Sequence, residues 1–535
     1  MKFNSNYNPY SSVRTVHYAQ KGMVATSQPL AAQAGLEMIK KGGNAVDAAI
    51  AAAACLAVTE PTSNGIGGDA FAIVWMKGEI HGLNSSGVAP ESISIDAVKA
   101  RGHDEMPKMG WLPVTVPGVP AAWAALSQRF GALDLAECLA PAVEYAKNGH
   151  PISPIVAKYW KIAYQAYKRQ EGPEFAPWFD IFAPDGKAPE AGEIWSSVGH
   201  GQTLLEIGKT SAESFYRGAL ADEIAAFSAK TGGFLTKADL EEYQPTWVAP
   251  ISTNYRGYDV WEMPPNGQGL VALMALNVLK GYDFAERDAI STYHRQFEAM
   301  KLAFTVGKEF ITDPAHMQIP VEELLSEKYA DLLRSRIGKT AMQPAPIAPN
   351  AGGTVYLATA DGEGNMVSYI QSNYMGFGSG IVVPGTGIAL QNRGADFSLN
   401  PAHANALAGG KRTYHTIIPG FVTKNGHAVG PFGVMGGYMQ PQGHVQVVMN
   451  SIDFGLNPQM ALDAPRWQWI SDKMFHVEHG FPRHIAAELA NLGHQIQMPL
   501  DSGGFGRGQI IWRNPDTGVL AGGTESRCDG AIAAW

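Results

Sequence analysis

Residues 350–364 read NAGGTVYLATADGEG. A threonine behind two glycines, opening a β-rich run that closes on a glycine turn, is either an ordinary loop or the place where a chain breaks its own backbone to expose a nucleophile. The same Ala-Gly-Gly-Thr recurs in LAGGTESRCDG, residues 520–530. A cut before Thr524 would free only a short tail, so that copy reads as a turn after the terminal hairpin. A cut before Thr354 would leave a foldable fragment, 354–535, beginning at the edge of a sheet.

Placement matters because a threonine hydroxyl is a poor nucleophile without a base. A free α-amino group on the same residue, with a reference pKa of ~7.7 to 8.0, is such a base near neutral pH, and an amide nitrogen is not. Gly352 and Gly353 would leave the scissile carbonyl unencumbered. By itself the Gly-Gly-Thr triplet favours the plain turn.

Outward from this stretch, MQPAPIAPNAGG at 342–353 predicts an exposed loop. Upstream, SQPLAAQAGLEMIKKGGNAVDAAIAAAACLAV predicts two Ala-rich helices broken at Gly42-Gly43-Asn44. GIGGDAFAIVWMKGEIHGL predicts a glycine turn running into a hairpin with Lys77-Gly78 at its tip. Helical patterns dominate 118–340, and β patterns dominate after 354, including a hairpin at Asn425-Gly426. The fold class is therefore α/β (α+β), layered, with sheets that take strands from both halves and an additional helical region in the first half.

With 535 residues and 45% hydrophobic content the chain can bury a large core, and a net charge of -9 without charge blocks indicates no nucleic-acid partner. Small molecules or peptides are the expected partners. Cys55, Cys138 and Cys528 have no metal or disulfide spacing. The opening residues carry no basic segment followed by an apolar one, and the apolar stretch 45–58 is too short for a span and contains Asp47. No membrane association and a cytoplasmic location are expected.

Three motif matches fail on context. GIGGDA at 65–70 fits G-x-G-x-x-A, but a helix precedes it and a strand follows, the reverse of a dinucleotide site. The Gly-Lys-Thr triplets at 208–210 and 338–340 lack the first phosphate-loop glycine. HVEHGFPRH brings His476, Glu478, His479 and His484 together without zinc spacing and reads as a solvated turn. No metal and no organic cofactor are called for.

Several long motifs stand in one order: GGNAVDAAIAAAACLAVTEPTSNGIGGDAF, VPGVPAAW, MPPNGQG, FEAMKLAF, GGTVYLATADGEGNMVSYIQSN, FGSGIVVPGTGIALQNRGADFS and GVMGGYMQPQGHVQVV. Together, from about residue 20 to the C-terminus, they resemble the γ-glutamyltransferase family of N-terminal nucleophile hydrolases. The resemblance implies a four-layer αββα sandwich and self-cleavage between Gly353 and Thr354. The products would be a large (1–353) and a small (354–535) subunit intertwined as a heterodimer, with a dimer of these left open. Thr354 would attack a γ-glutamyl or similar amide and pass the acyl group to water or an amine.

It also implies Ser372 as the second hydroxyl beside the nucleophile, Gly436 and Gly437 as the oxyanion-hole pair, and Asp396 as the carboxylate that holds a donor α-ammonium. Departures touch the donor's carboxylate pocket. Ser86 stands where the family has an Arg, Tyr374 replaces an Asn, and Tyr414 and His415 replace a Ser pair. Arg393 and Arg412 are candidate replacement charges. The segment between Asp396 and Lys411 is short beside members that carry a lid. Two alternatives stay open: an acylase of the glutaryl or cephalosporin type, and a processing-deficient homologue that only binds such ligands.

Overall fold

The structure, a computed structural model, describes residues 14–344 and 353–535. Of the loop expected over 342–353, residues 345–352 lie outside the described residues. At the start of that loop Gln343 is exposed, but Met342 is half-buried and Pro344 buried. The backbone N–H and carbonyl of Met342 are held by Glu298 and Lys301, a fully buried ion pair on helix Ile290–Phe310.

Two seven-stranded sheets form the centre. The first runs in the order Ala531–Ala534, Gly22–Thr26, Gly353–Asp361, Met366–Tyr374, Asp69–Met76, Glu79–Ser85, Thr246–Val248. The second runs His17–Ala19, Leu520–Thr524, Arg507–Arg513, His427–Met435, Gly420–Lys424, Tyr258–Glu262, Ile251–Tyr255. Neighbours in both pair antiparallel. Each sheet takes strands from both sides of Gly353. The strand that begins at Gly353 is the third of seven, so it is interior and not at a sheet edge as the sequence reading had it.

Side-chain alternation explains the layering. Ala70, Ala72 and Val74 face outward into a core shared with helices, whereas Phe71 and Ile73 face inward to the other sheet. Val355 and Leu357 alternate in the same way with Tyr356 and Ala358. In the second sheet Val434 and Ile510 face a helical layer while Met435 and Ile511 face inward. Strands buried on both faces read as continuous apolar runs, and the result is helix, sheet, sheet, helix.

The helical layer over the first sheet starts at Pro29–Lys40 and Ala45–Thr59, the second buried along its whole length. Asn44 ends the break between them with a reciprocal cap. Its side chain accepts from the N–H groups of Val46 and Asp47, and Asp47 accepts the Asn44 N–H at 2.8 Å. Over the second sheet lie Gly269–Leu279, Ile290–Phe310 and Gln440–Ile452. Among the described residues no helix is long and apolar enough to cross a membrane.

Thr524 is not in a turn. It is the last residue of strand Leu520–Thr524, and its backbone N–H and carbonyl are both taken by the Gln459 side chain, at 3.1 and 2.9 Å. Glycine serves close packing in this copy: a Cβ on Gly522 would stand 2.4 Å from Met23 Sδ and one on Gly523 2.5 Å from the Pro458 carbonyl carbon. Asn44→Ala, made in a Thr354→Ala chain so that only one polypeptide is present, should lose about 1 kcal/mol or more of helix stability. A lowered thermal midpoint reads it.

Candidate active site

Pairing of Gly353–Asp361 with Met366–Tyr374 slips next to Thr354: Gly353 faces Tyr374, but Val355 already faces Gln371. The extra residue is a bulge that turns Ser372 toward Thr354. Thr354 is buried, and its Oγ1 lies 2.7 Å from the Gly353 carbonyl oxygen and 3.1 Å from Ser372 Oγ. Ser372 Oγ accepts the Tyr374 N–H at 2.7 Å and donates to the same Gly353 oxygen at 2.5 Å. Two hydroxyls thus converge on one carbonyl. A Cβ on Gly353 would meet Gly376 N at 3.1 Å and the Thr62–Ser63 backbone at 3.3 Å, which leaves little room for any other residue.

Gly436 and Gly437 follow strand His427–Met435 with φ of 139° and 58°, conformations that side chains strain to reach. They lead through a 3-10 turn into helix Gln440–Ile452, whose dipole places positive potential at this end. Gln268, from the PPNGQG motif, fastens the turn. Its Nε2 donates to the carbonyls of Gly437 (2.9 Å) and Thr416 (2.6 Å), and its Oε1 accepts from Tyr414 Oη at 3.0 Å.

Asp396 closes a 3-10 turn that starts at Arg393. Its Oδ1 accepts from Tyr374 Oη at 2.8 Å and Tyr438 Oη at 3.0 Å, and its Oδ2 accepts from Arg393 at 3.0 Å. The left-handed backbone of Tyr374, φ 74°, accompanies this placement. Arg393 is 1% exposed, lies 3.6 Å over the Tyr374 ring and also donates to Thr416. Lys308, half-buried, touches Tyr438 Oη and stands over the rings of Tyr438 and Tyr414, 3.4 and 4.4 Å from their centroids. Burial pulls its ammonium down to about 8, with Asp396 pulling the other way.

Ser86 is buried and bonds Asn84 at 2.7 Å. The Arg412 Nε donates to the Ser86 carbonyl at 3.1 Å, so that guanidinium reaches the residue that stands in place of the family's Arg. His415 is buried. Its Nδ1 accepts the Ile417 N–H, which leaves the proton on Nε2 for Asp69 Oδ2 at 2.9 Å. Asp69 also accepts from the Gly87 N–H (2.9 Å) and Gln391 (2.7 Å), and through His415 it ties the first hairpin to the segment before strand Gly420–Lys424.

The sequence reading missed Asp69, Lys308, Tyr438 and Gln268. Asp69 was visible only inside a failed nucleotide fingerprint. Lys308 had a usable signal: Phe297, Lys301, Phe304 and Lys308 recur at helical spacing, which puts two lysines on an apolar face.

HVEHGFPRH is not a solvated turn throughout. Glu478 is buried and paired with Arg527 at 2.5 Å, whereas His479 and His484 are exposed. Among the described residues, the His/Cys/Asp/Glu group close enough to share a cation is His294, Glu298 and His494. The atoms that face one another there already have protein partners. His294 bonds His494 and the Gly338 carbonyl, both at 2.9 Å, and the Lys301 ammonium sits 2.6 Å from Glu298. The cluster anchors the chain at 338–342.

Burial pushes the Asp69 carboxyl up to about 7, against its hydrogen bonds. Its folded pKa is above the unfolded value, so the unfolded chain ionises first, and between about pH 4 and 7 rising pH lowers stability. Relative to Asp69→Asn, the wild-type thermal midpoint should fall across that window and level off above it.

The model of the gamma-glutamyltranspeptidase family matches residues 31–535. The chain is 37% identical over 522 residues to the glutathione hydrolase-like YwrD proenzyme of Bacillus subtilis, covering 96% of this chain and 98% of that protein. It is 34% identical over 529 residues to the oxamate amidohydrolase proenzyme of Klebsiella pneumoniae, with the same coverage, 96% and 98%. Among solved structures it is similar to cephalosporin acylase from Bacillus halodurans, at 62% identity and a TM-score of 0.98 over 100% of this chain and 99% of that one. The chain belongs to the γ-glutamyltranspeptidase family and is an enzyme of the N-terminal nucleophile hydrolase type, a group of self-cleaving proenzymes.

Proposed function

We propose that Thr354 is the nucleophile of a self-processing amidohydrolase that cuts its own chain at Gly353/Thr354 into 1–353 and 354–535. The observation that carries this reading is the convergence of Thr354 Oγ1 and Ser372 Oγ on the Gly353 carbonyl. Attack of Oγ1 on that carbon forms a C–O bond, and the C–N bond breaks as the hydroxyl proton passes to nitrogen. An ester and a free Thr354 amine are left, and water hydrolyses the ester to a Gly353 carboxylate and the Thr354 hydroxyl. Ser372 donates to the oxygen on which charge develops.

The freed amine then acts as the base for Oγ1. Thr354 attacks a γ-glutamyl or related acyl amide, the amine leaves, and the ester acyl-enzyme is released to water or to an acceptor amine. Gly436 and Gly437, held by Gln268 at the head of helix Gln440–Ile452, are suited to stabilise the oxyanion through their backbone N–H groups. A second reading, an acylase with a different acyl donor, is favoured by one observation: both oxygens of Asp396 are already engaged by Tyr374, Tyr438 and Arg393.

Intact mass under denaturing conditions tests the cut. Two fragments, the smaller starting at Thr354, are expected from the wild type and one uncut chain from Thr354→Ala; an uncut wild type defeats the reading and favours a binding role. Ser372→Ala should slow fragment appearance about 100-fold, the scale of losing one oxyanion donor. Processed enzyme should release aniline from γ-glutamyl-anilide.

A further inference from the structure

We propose that Arg466 is a positioning residue for catalysis: with Glu525 it clamps the Phe505–Gly506 bend against the Gly436-Gly437 turn and so fixes where the oxyanion-binding N–H groups point. This rests on the reading of that turn as the oxyanion site.

Contact comes first. Strand Arg507–Arg513 pairs with His427–Met435 so that Arg507 faces Met435, which puts Gly506 beside Gly436. The two glycines meet through backbone. A Cβ on Gly436 would stand 3.1 Å from Gly506 Cα, and one on Gly506 would stand 2.7 Å from the Met435 carbonyl oxygen. Gly506 has a φ of 76°, so the bend takes glycine without strain. Gln268 holds Gly437 by its carbonyl, and Gly506 is the backbone on which Gly436 rests.

What holds the bend comes second. Arg466 is 2% exposed, and one Nη donates to both the Phe505 and Gly506 carbonyls at 2.9 Å. Its other Nη donates to Glu525 at 2.7 Å and to the Leu462 carbonyl at 3.2 Å. The same Glu525 oxygen accepts the Gly508 N–H at 2.8 Å, so the pair grips the chain on both sides of Arg507. Arg527 and Glu478 complete a buried set of two cations and two anions. For stability alone, packed apolar side chains of similar volume often serve as well as a buried ion pair. The planar guanidinium adds reach: it meets two consecutive carbonyls and a carboxylate at once, which an ammonium, a point charge on a flexible stem, does not.

An oxyanion donor works only when aimed within a fraction of an ångström at the oxygen on which charge develops. Arg466 acts on that aim through Gly506 and Gly436. Loosening it should lower transition-state stabilisation while the Thr354–Ser372 contact and the groups around Asp396 stay in place. Acylation and deacylation both pass through an oxyanion, so kcat and kcat/KM should fall together.

The experiment sets Arg466→Lys beside Arg527→Lys. Both keep the charge balance and weaken one network, but Arg527 bonds Glu478, Glu525 and the Leu462 and Ala464 carbonyls instead of the bend. On γ-glutamyl-anilide and butyryl-anilide alike, Arg466→Lys is expected to lose ~10 to 100-fold in kcat with KM unchanged, up to the scale of losing one oxyanion donor. Arg527→Lys is expected to keep its kcat at a comparable drop in thermal midpoint. Equal kcat in Arg466→Lys and wild type, equal losses in the two variants, or a loss that appears in KM overturns the proposal. Appearance of two fragments reports that each variant folds, because Ser372 and not this turn faces the Gly353 oxygen. Where Arg466→Lys yields no fragments, Gly506→Ala carries the test: its Cβ, pressed on the Met435 carbonyl, should produce the same kcat loss, and a wild-type kcat overturns the proposal. Crystal structures of the variants separate the clamp from the nucleophile assignment. Gly506 and Gly436 displaced together in Arg466→Lys, and in place in Arg527→Lys, support it whatever Thr354 does; an unmoved turn overturns it.

Discussion

The structure depends on a burial constraint. The residue suited to be the nucleophile opens a strand that lies inside a seven-stranded sheet, hydrogen-bonded on both edges and covered on both faces. A free chain end could not easily be threaded into that position. A continuous chain can place the strand first and be cut afterwards, which reconciles a buried Thr354 with the free amine that its chemistry needs. Sharing of both sheets between residues before and after Gly353 holds the two pieces together through the proposed cut.

The bulge opposite Thr354 does the local work. In a regular pairing, Ser372 would keep the strand's own alternation. With one extra residue inserted, its hydroxyl reaches the Gly353 carbonyl, and the same distortion accompanies the left-handed Tyr374 that reaches Asp396. Thr354 and Asp396 are therefore linked through the one strand end that carries Ser372 and Tyr374. Gln268, Asp69 and His415 fasten the surrounding loops from behind. They bond the glycine turn, the first hairpin and one another's strands.

Arg393 and two tyrosines engage both oxygens of Asp396, and Lys308, from a distant helix, reaches the same Tyr438.

Local patterns determined much of this protein by themselves. Apolar runs between turn signals gave away the strands and Gly42-Gly43-Asn44 the helix break, while the four-layer class and the proposed Thr354, Ser372, Gly436-Gly437 and Asp396 set came only from the resemblance carried by long motifs in one order. The strands and the helix break are legible because turns, caps and apolar patterning act over a few residues. Tertiary structure alone decided that Gly353–Asp361 is interior, that Gly522 and Gly523 serve close packing in a strand, that Glu478 is a buried ion-pair partner, and that Lys308 reaches Tyr438 beside Asp396. Each of these depends on which distant segment lies against which. Hydrogen bonds and charge pairs act across a few ångströms of space, and sequence separation carries no record of that distance.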